Sequence, residues 1–199
     1  MMAAQFASYE SVKKLLDLGA DQNRTNGEKN ALFYAIKSKY SDVVELLAPL
    51  TNTEDTTTNS ANMEKIARVE LDITGAAIKE YIKKCTKNVL VRSTAMSSAC
   101  KFGHSDMLKY MLRLYPGTCT PGVLSRMMIL AIQSDSPSTC EILAELYKKN
   151  NQQVPPNVVK EASNRGNRAI RKLVDPDYNE TLEADNIEKD KQTLKGILS

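Results

Sequence analysis

An alanine recurs along this chain at a spacing close to 32 residues, and this rhythm limits the possible folds more than any other feature. Four of the alanines lie 32, 64 and 32 residues apart, the midpoint of the wide gap is also alanine, and a sixth follows 31 residues after the fifth. They are Ala3, Ala35, Ala67, Ala99, Ala131 and Ala162. A repeat of this length predicts small structural units that bury their apolar faces only by stacking on one another.

Apolar residues keep the same phase as the alanines. Nine and twelve residues after the alanine stand Val12 and Leu15, Val44 and Leu47, Leu108 and Met111, and Cys140 and Leu143. Where the thirteenth residue is also apolar, as at Leu16 and Leu112, the spacing of three and four residues predicts amphipathic helices. Glycines and prolines separate the helical stretches, so each unit reads as two helices joined by a tight turn. The third unit fits only with about two added residues, which place Ile78, Tyr81 and Ile82 on its apolar face.

The predicted fold is therefore an all-α solenoid of about six helix-turn-helix units. Apolar residues make up 42% of the 199 residues and aromatic residues only 6%, with no tryptophan, which suits a core of aliphatic side chains between closely packed helices. A period near 32 is short for HEAT or armadillo repeats. It leaves ankyrin and tetratricopeptide repeats as the candidates.

Several stretches resemble ankyrin repeats. Residues 3–23, AAQFASYESVKKLLDLGADQN, resemble the second half of a repeat, including the closing Gly-Ala-Asp-x-Asn that tetratricopeptide repeats lack. Residues 30–47 resemble the next repeat, and residues 93–112 keep Gly103-His104 at the turn between helices. The resemblance extends over residues 1–175 and implies an ankyrin solenoid. Only the first connector keeps a recognisable hairpin finger, so the fingers are expected to be few or short.

Other stretches depart from that family. The Thr-Pro-Leu-His box is eroded in every unit, residues 51–62 (TNTEDTTTNSAN) are expected to form a solvated loop, and the third unit, residues 63–85, is degenerate. The first repeat is expected to be truncated at Met1, or else the chain is a piece of a longer protein. Residues 176–199 form an acidic C-terminal tail or capping helix; capping the last repeat, disorder and partner binding all remain open for it.

No catalytic or metal-binding motif is evident. His104 is the one histidine and has no nucleophile motif beside it, so a structural role at its turn is expected. The four cysteines lack a CxxC pair, which predicts reduced thiols and no zinc. We expect no enzymatic activity, no cofactor, no metal and no small-molecule substrate. The N-terminus lacks a signal-peptide pattern and the apolar runs are too short to cross a membrane, which predicts an intracellular protein, cytoplasmic or nuclear.

The resemblance implies that a partner protein binds the concave surface formed by the fingers and the exposed side of each first helix. Phe6 and Phe102 are the foremost candidates because exposed aromatic residues often anchor binding, although Phe102 could instead pack in its turn. The full set of candidates is Phe6, Arg24, Asn26, Glu28, Lys37, Lys101, Phe102, Gln133, Asn164 and Arg165.

Two other functions remain open at this stage. The chain could be the regulatory ankyrin domain of a longer enzyme or channel. It could also bind nucleic acid, because seven acids and one lysine in residues 175–190 give that stretch a charge of −6 and leave +9 on the rest. The basic residues are not interleaved with aromatic ones that could stack on bases, so a protein partner of unknown identity is favoured over nucleic acid.

Overall fold

The computed structural model describes residues 1–6, 8–175 and 178, and these residues form six pairs of α-helices. We call the pairs units 1 to 6. Their helices are α1 (Met2–Phe6) and α2 (Tyr9–Asp17), α3 (Ala31–Ser38) and α4 (Ser41–Leu47), α5 (Thr56–Arg68) and α6 (Ala76–Cys85), α7 (Val89–Lys101) and α8 (Ser105–Leu114), α9 (Pro121–Gln133) and α10 (Pro137–Lys149), and α11 (Pro156–Arg165) and α12 (Arg168–Val174). A short 3-10 helix, Ala48–Leu50, follows α4. The predicted all-α helical repeat is confirmed.

The first helices of the units stack in one row and the second helices in another. Each of α1, α3, α5, α7 and α9 packs on the first helix of the next unit, and we call these and α11 the inner helices. The second helices of the units, which we call the outer helices, pack in the same order. The contact between α6 and α8 is weaker than the others. The shared core runs through all six units, as expected when each unit buries its apolar face against its neighbours.

The repeating alanines lie where inner helices pack closely. Five of them, Ala35, Ala67, Ala99, Ala131 and Ala162, have no exposed surface, whereas Ala3 in unit 1 is half-buried. A methyl side chain lets neighbouring helix backbones approach each other, which explains why a small residue recurs at this position. The added residues of unit 3 lie in the longer turn between α5 and α6, and Ile78, Tyr81 and Ile82 are buried as predicted.

The prediction that residues 51–62 form a solvated loop is wrong, because α5 begins at Thr56. Asp55 caps this helix: its carboxylate accepts hydrogen bonds from the Thr57 and Thr58 amides, both at 3.1 Å, and from the Thr58 hydroxyl at 2.7 Å. These bonds lower the pKa of Asp55. Only residues 51–55 connect the units. The polar composition misled the sequence analysis because three of these polar residues point into the core: Thr58, Asn59 and Asn62.

A buried hydrogen-bond network explains why asparagines lie inside the core. The Tyr81 hydroxyl donates to Asn59 Oδ1 at 2.6 Å, and Asn62 Nδ2 donates to the same hydroxyl oxygen at 2.8 Å. Asn62 Nδ2 also lies 3.4 Å from Oδ1 of Asn30, the N-cap residue of α3. The network links units 2 and 3, and buried polar groups are tolerated in a core when they find such partners.

The first connector forms a short finger. The Asn26 amide donates to the Lys29 carbonyl at 2.9 Å, which closes a single antiparallel bridge around Gly27 at φ +62°. A positive φ is readily adopted by glycine and costs other residues steric strain. No other isolated bridge occurs in residues 1–6, 8–175 and 178, so fingers are few and short, as predicted.

Hydrogen bonds between adjacent units replace those that the eroded Thr-Pro-Leu-His box would supply. Ser38 Oγ donates to the Gln5 carbonyl and Ser134 Oγ to the Cys100 carbonyl, each at 3.0 Å. The partners in each bond are about one repeat apart in the sequence, at separations of 33 and 34 residues. Side-chain bonds to backbone carbonyls therefore join the units even though the family's own motif residues are missing.

Unit 2 also caps a helix of unit 3. The Glu45 carboxylate accepts hydrogen bonds from the Ala77 and Ile78 amides at the start of α6, at 3.0 and 3.1 Å. A negative charge at a helix N-terminus is favourable because it meets free amides and the positive end of the helix dipole. Gly75 leaves room for this carboxylate, since a Cβ at that position would collide with it.

Two further predictions concern the membrane and the tail. Across the part of the chain that the structure describes, no helix has both the length and the apolar character needed to cross a bilayer. The predicted acidic tail or capping helix, residues 176–199, lies outside the described residues apart from Tyr178.

Candidate partner-binding surface

Two of the predicted contact residues lie at equivalent places in the last turns of inner helices, two repeats apart. Lys37 lies in the last turn of α3 and Lys101 in the last turn of α7, and both are exposed. Phe102 follows directly as the C-cap residue of α7 and is half-buried against the core. The stacking of inner helices thus brings residues from units 2 to 4 onto one surface.

Phe102 carries two cationic side chains over its ring. The Arg68 guanidinium lies 5.6 Å and the Lys101 ammonium 5.1 Å from the ring centroid. Both distances are within the range of a cation–π interaction. Phe102 therefore packs partly in its turn and at the same time orients an arginine from unit 3 and a lysine from unit 4.

Phe33 does the same for two lysines. The Lys29 ammonium lies 5.6 Å and the Lys65 ammonium 5.0 Å from its ring centroid. Phe33 itself is 8% exposed and meets Tyr34 edge-on at 5.7 Å between centroids. A nearly buried ring in unit 2 thus orients one cation from the finger and another from α5.

These cations form one positively charged region, which we call the basic cluster: Lys29, Lys37, Lys65, Arg68 and Lys101. The pKa of Lys65 is lowered, first by its burial and then by repulsion from Arg68, Lys37 and Lys29, with Glu64 acting in the opposite sense. Among the described residues, none of the five forms an ion pair. The basic cluster therefore holds several like charges close together without a paired carboxylate.

The predicted residues near the other end of the inner row form a separate polar group. Gln133 Nε2 donates to Glu161 Oε1 at 2.9 Å, and Arg165 Nε lies 3.3 Å from the same oxygen. Asn164 is exposed beside them. Glu161 thus already binds the side chains of Gln133 and Arg165. This end is therefore less available to a charged partner than the basic cluster.

The remaining predicted residues lie at the N-terminal end. Phe6 ends α1 with 68% of its surface exposed. Arg24, Asn26 and Glu28 are exposed in and beside the finger, where Asn26 forms the bridge to Lys29. The structure therefore places Lys101 beside Phe102 and Lys37 near Lys65, brings the finger to the same region through Lys29, and keeps Gln133, Asn164 and Arg165 in their own group.

Four residues of this surface are not among those predicted from the sequence: Lys29, Phe33, Lys65 and Arg68. Unit 3 was treated as degenerate, so no contact was assigned to it. The residue two positions after its alanine is Val69, which is half-buried, and Arg68 one position earlier faces Phe102 instead. Lys65 and Arg68 stand three residues apart on α5, and this spacing on one helical side was the available signal.

His104 has a structural role, as predicted. Its ring is 7% exposed and its Nε2 lies 3.0 Å from the Leu71 carbonyl oxygen, so Nε2 carries the proton that bonds unit 4 to unit 3. Burial lowers its pKa, which favours the neutral ring. The ring borders a cleft of about 700 Å³ between α6 and α8, with Asp72, Lys79 and Tyr110 in its walls. Tyr110 closes part of that cleft by donating to the Lys79 carbonyl at 3.0 Å.

The cysteines are poor nucleophiles in this fold. All four are free, and Cys85, Cys100 and Cys140 are buried. Burial raises the pKa of Cys85 and of Cys140 to about 12, so their thiolates are scarce near neutral pH. The described residues contain no cluster of three or more potential metal ligands.

One family model matches part of the chain. The family model described as ankyrin repeats, in three copies, matches residues 1–62, which span α1 to α4 and the first half of α5. No curated protein and no solved structure matches the chain. The match covers the stretch in which the Gly-Ala-Asp-x-Asn corner and the finger occur, and it agrees with the arrangement of paired helices.

Proposed function

We propose that this chain, whose residues 1–62 match the ankyrin-repeat family model, is a non-enzymatic scaffold or adaptor that binds a partner protein through the surface of its inner helices. Ankyrin repeats are generally protein-interaction modules. In that family the inner helices and fingers line the concave side of the solenoid. The predicted residues Phe6, Arg24, Lys37, Lys101 and Phe102 lie on inner-helix ends or by the finger.

The observation that carries this proposal is the basic cluster. Side chains of the same charge repel one another on a folded surface. Here Phe33 and Phe102 hold four cations close together. Such an arrangement does not help the chain to fold, whereas a binding partner of opposite charge would gain from it. This reasoning favours recognition over a purely structural role for the surface.

Other features support a binding role without catalysis, inside the cell. His104, the one imidazole, bonds a backbone carbonyl through Nε2, and the buried thiols have raised pKa values. A general base or a nucleophile must be accessible and oriented towards its substrate, and the His104 imidazole and the buried thiols are not accessible. Free cysteines at all four positions support a reducing compartment, which we take to be the cytoplasm or the nucleus.

A regulatory role within a longer enzyme or channel is the second candidate. Unit 1 leaves Phe6, Leu15 and Leu18 exposed at 68%, 44% and 75%. Several exposed apolar side chains in one unit favour coverage by another protein surface. A further domain joined to this chain would serve as well as a separate partner, and either reading keeps the repeats as a binding element.

Affinity capture from the native cell, with the full chain as bait, tests the proposal. The bait is compared with Phe102→Ala, which removes the ring that orients Arg68 and Lys101, and with Tyr40→Ala, an exposed aromatic outside the proposed surface. Partners are expected to be lost with Phe102→Ala and kept with Tyr40→Ala, and thermal melting of each bait shows that it is folded. Equal recovery with all three baits would contradict the choice of surface.

A further inference from the structure

Building on the proposed function, we propose that the partner presents an acidic segment, whose carboxylates bind between the two ring-held cation pairs of the basic cluster. One pair is Lys29 and Lys65 at Phe33, and the other is Arg68 and Lys101 at Phe102. Lys37 adds a fifth charge in the last turn of α3. The occupant is thus identified by charge: a run of aspartate or glutamate in another protein.

The rings prepare the cations for binding. Long basic side chains usually lose much rotamer freedom when they bind, and this loss weakens exposed ion pairs. A cation held over an aromatic ring has already lost part of that freedom. Phe102 packs against the shared core, and Phe33 is only 8% exposed and meets Tyr34 edge-on, so both rings have restricted freedom. Four of the five cations therefore rest on rigid supports that belong to units 2 and 4.

The charge balance of the surface favours carboxylates. The five cations are opposed nearby by Glu64, which acts on Lys65 without forming an ion pair with it, and by Glu28 in the finger. Burial first, and then repulsion from Arg68, Lys37 and Lys29, lower the pKa of Lys65. Incoming carboxylates would relieve this repulsion, which gives the bound state an advantage that the free protein lacks.

The same rings argue against nucleic acid as the occupant. Proteins that hold single strands present open aromatic faces on which bases stack. Phe33 is only 8% exposed and has two lysines over its ring, and Phe102 has Arg68 and Lys101 in the corresponding positions. The surface therefore offers charges without stacking platforms, which suits a carboxylate-rich peptide better than a chain of bases.

A direct binding titration of the full chain tests this inference. The probe is a fluorescently labelled peptide in which glutamate alternates with serine, and the reference is the same peptide with glutamine at every glutamate. The glutamate peptide is expected to bind, to weaken as salt is raised, and to lose about tenfold in affinity in the double variant Lys37→Glu with Lys101→Glu. Both substitutions are at exposed positions in last helical turns, so the fold should tolerate them.

The matched control is the double variant Lys148→Glu with Lys149→Glu. These lysines are also exposed and lie in the last turn of an outer helix, α10, so the change in net charge is the same. This control is expected to bind the glutamate peptide as wild type does. Equal loss in both double variants would reveal only a response to net charge and would overturn the inference.

Three other results would also overturn it. One is equal binding of the glutamine peptide, and another is tighter binding of a single-stranded oligothymidylate of similar length. The third is binding that appears only after the seven acids of residues 175–190 are changed to their amides, because the chain's own tail would then be the occupant. None of these results alters the capture experiment with Phe102→Ala, so the acidic-segment inference can fail while the proposed protein-binding role stands.

Discussion

Units 1 and 4 differ in a way that separates family resemblance from stability. Unit 1 carries the Gly-Ala-Asp-x-Asn corner and lies in the stretch that the family model matches, yet Val12 is the sole buried residue of α2. Unit 4 lies outside that stretch, yet Met107, Leu108 and Met111 of α8 have no exposed surface. The unit that most resembles the family is thus the less well packed of the two.

The difference has a physical cause. Corners depend on particular residues: Gly19 adopts φ +84° and Gly27 φ +62°, a region that other side chains enter at a cost. A core requires only apolar side chains of suitable volume, so many combinations pack equally well. Sequence similarity to a family therefore persists at the turn residues. Core residues can be replaced by other apolar residues while the fold stays the same.

The sharpest test of this comparison removes an apolar side chain from each unit. Leu108→Ala should lower the free energy of unfolding by about 2–5 kcal/mol, because it opens a cavity at a fully buried position. Leu18→Ala, at a site that is 75% exposed, should change it by less than about 0.5 kcal/mol. Urea denaturation followed by circular dichroism measures both. Comparable losses would show that unit 1 contributes as much as unit 4.

A smaller effect is expected at the polar core between units 2 and 3. Tyr81→Phe removes the hydroxyl that bonds Asn59 and Asn62, and it should cost about 1–3 kcal/mol because both amides then lose a buried partner. Tyr40→Phe, at an exposed hydroxyl, is the control. An unchanged denaturation midpoint in Tyr81→Phe would mean that the network does not stabilise the packing between units 2 and 3.

Gly75→Ala should lower the free energy of unfolding by about 1 kcal/mol, because it disrupts the cap that unit 2 supplies to unit 3. Losing other helix caps has a cost of this size. The new Cβ would displace the Glu45 carboxylate from the Ala77 and Ile78 amides. Gly117→Ala is the matched control, since a Cβ there meets no neighbouring atom within 4 Å. Thermal melting compares the two variants. The assignment of the cap fails if both glycines tolerate alanine equally.

The smallest effect concerns pH. Burial lowers the pKa of His104 in the folded protein, so the unfolded state binds a proton more readily and stability falls as the pH drops below His104's ordinary value of 6.5. His104→Gln should flatten this part of the stability curve while carboxylates still contribute at lower pH. Denaturation at several pH values measures the slope. An identical slope in the variant would exclude His104 as its source.

Spacing and turn chemistry allowed much of the fold to be predicted. The alanine period and the apolar columns located six helical pairs, and the Gly103-His104 turn located the structural histidine. The start of α5 was missed because its threonines and asparagines look solvated, while the tertiary fold buries Asn59 and Asn62 against Tyr81. No local sequence pattern indicates that these asparagines form hydrogen bonds with a tyrosine in the next helix.

The candidate surface was predicted only in part for the same reason. Lys37, Lys101 and Phe102 follow from the repeat, because they recur at set distances from an alanine. Their grouping with Lys29, Lys65 and Arg68 depends on which side chains share the rings of Phe33 and Phe102. That depends on how units 2, 3 and 4 stack, which is a property of the assembled row.

Glu45 has a practical consequence for anyone who wishes to rebuild this protein. The first amides of α6 find their acceptor on α4, so unit 3 is incomplete when cut out at its own boundaries. A graft of residues 56–85 into another repeat array would bring the helix without its acceptor, and the host would need a glutamate at the matching place. The smallest transplantable piece here is a couple of adjoining units.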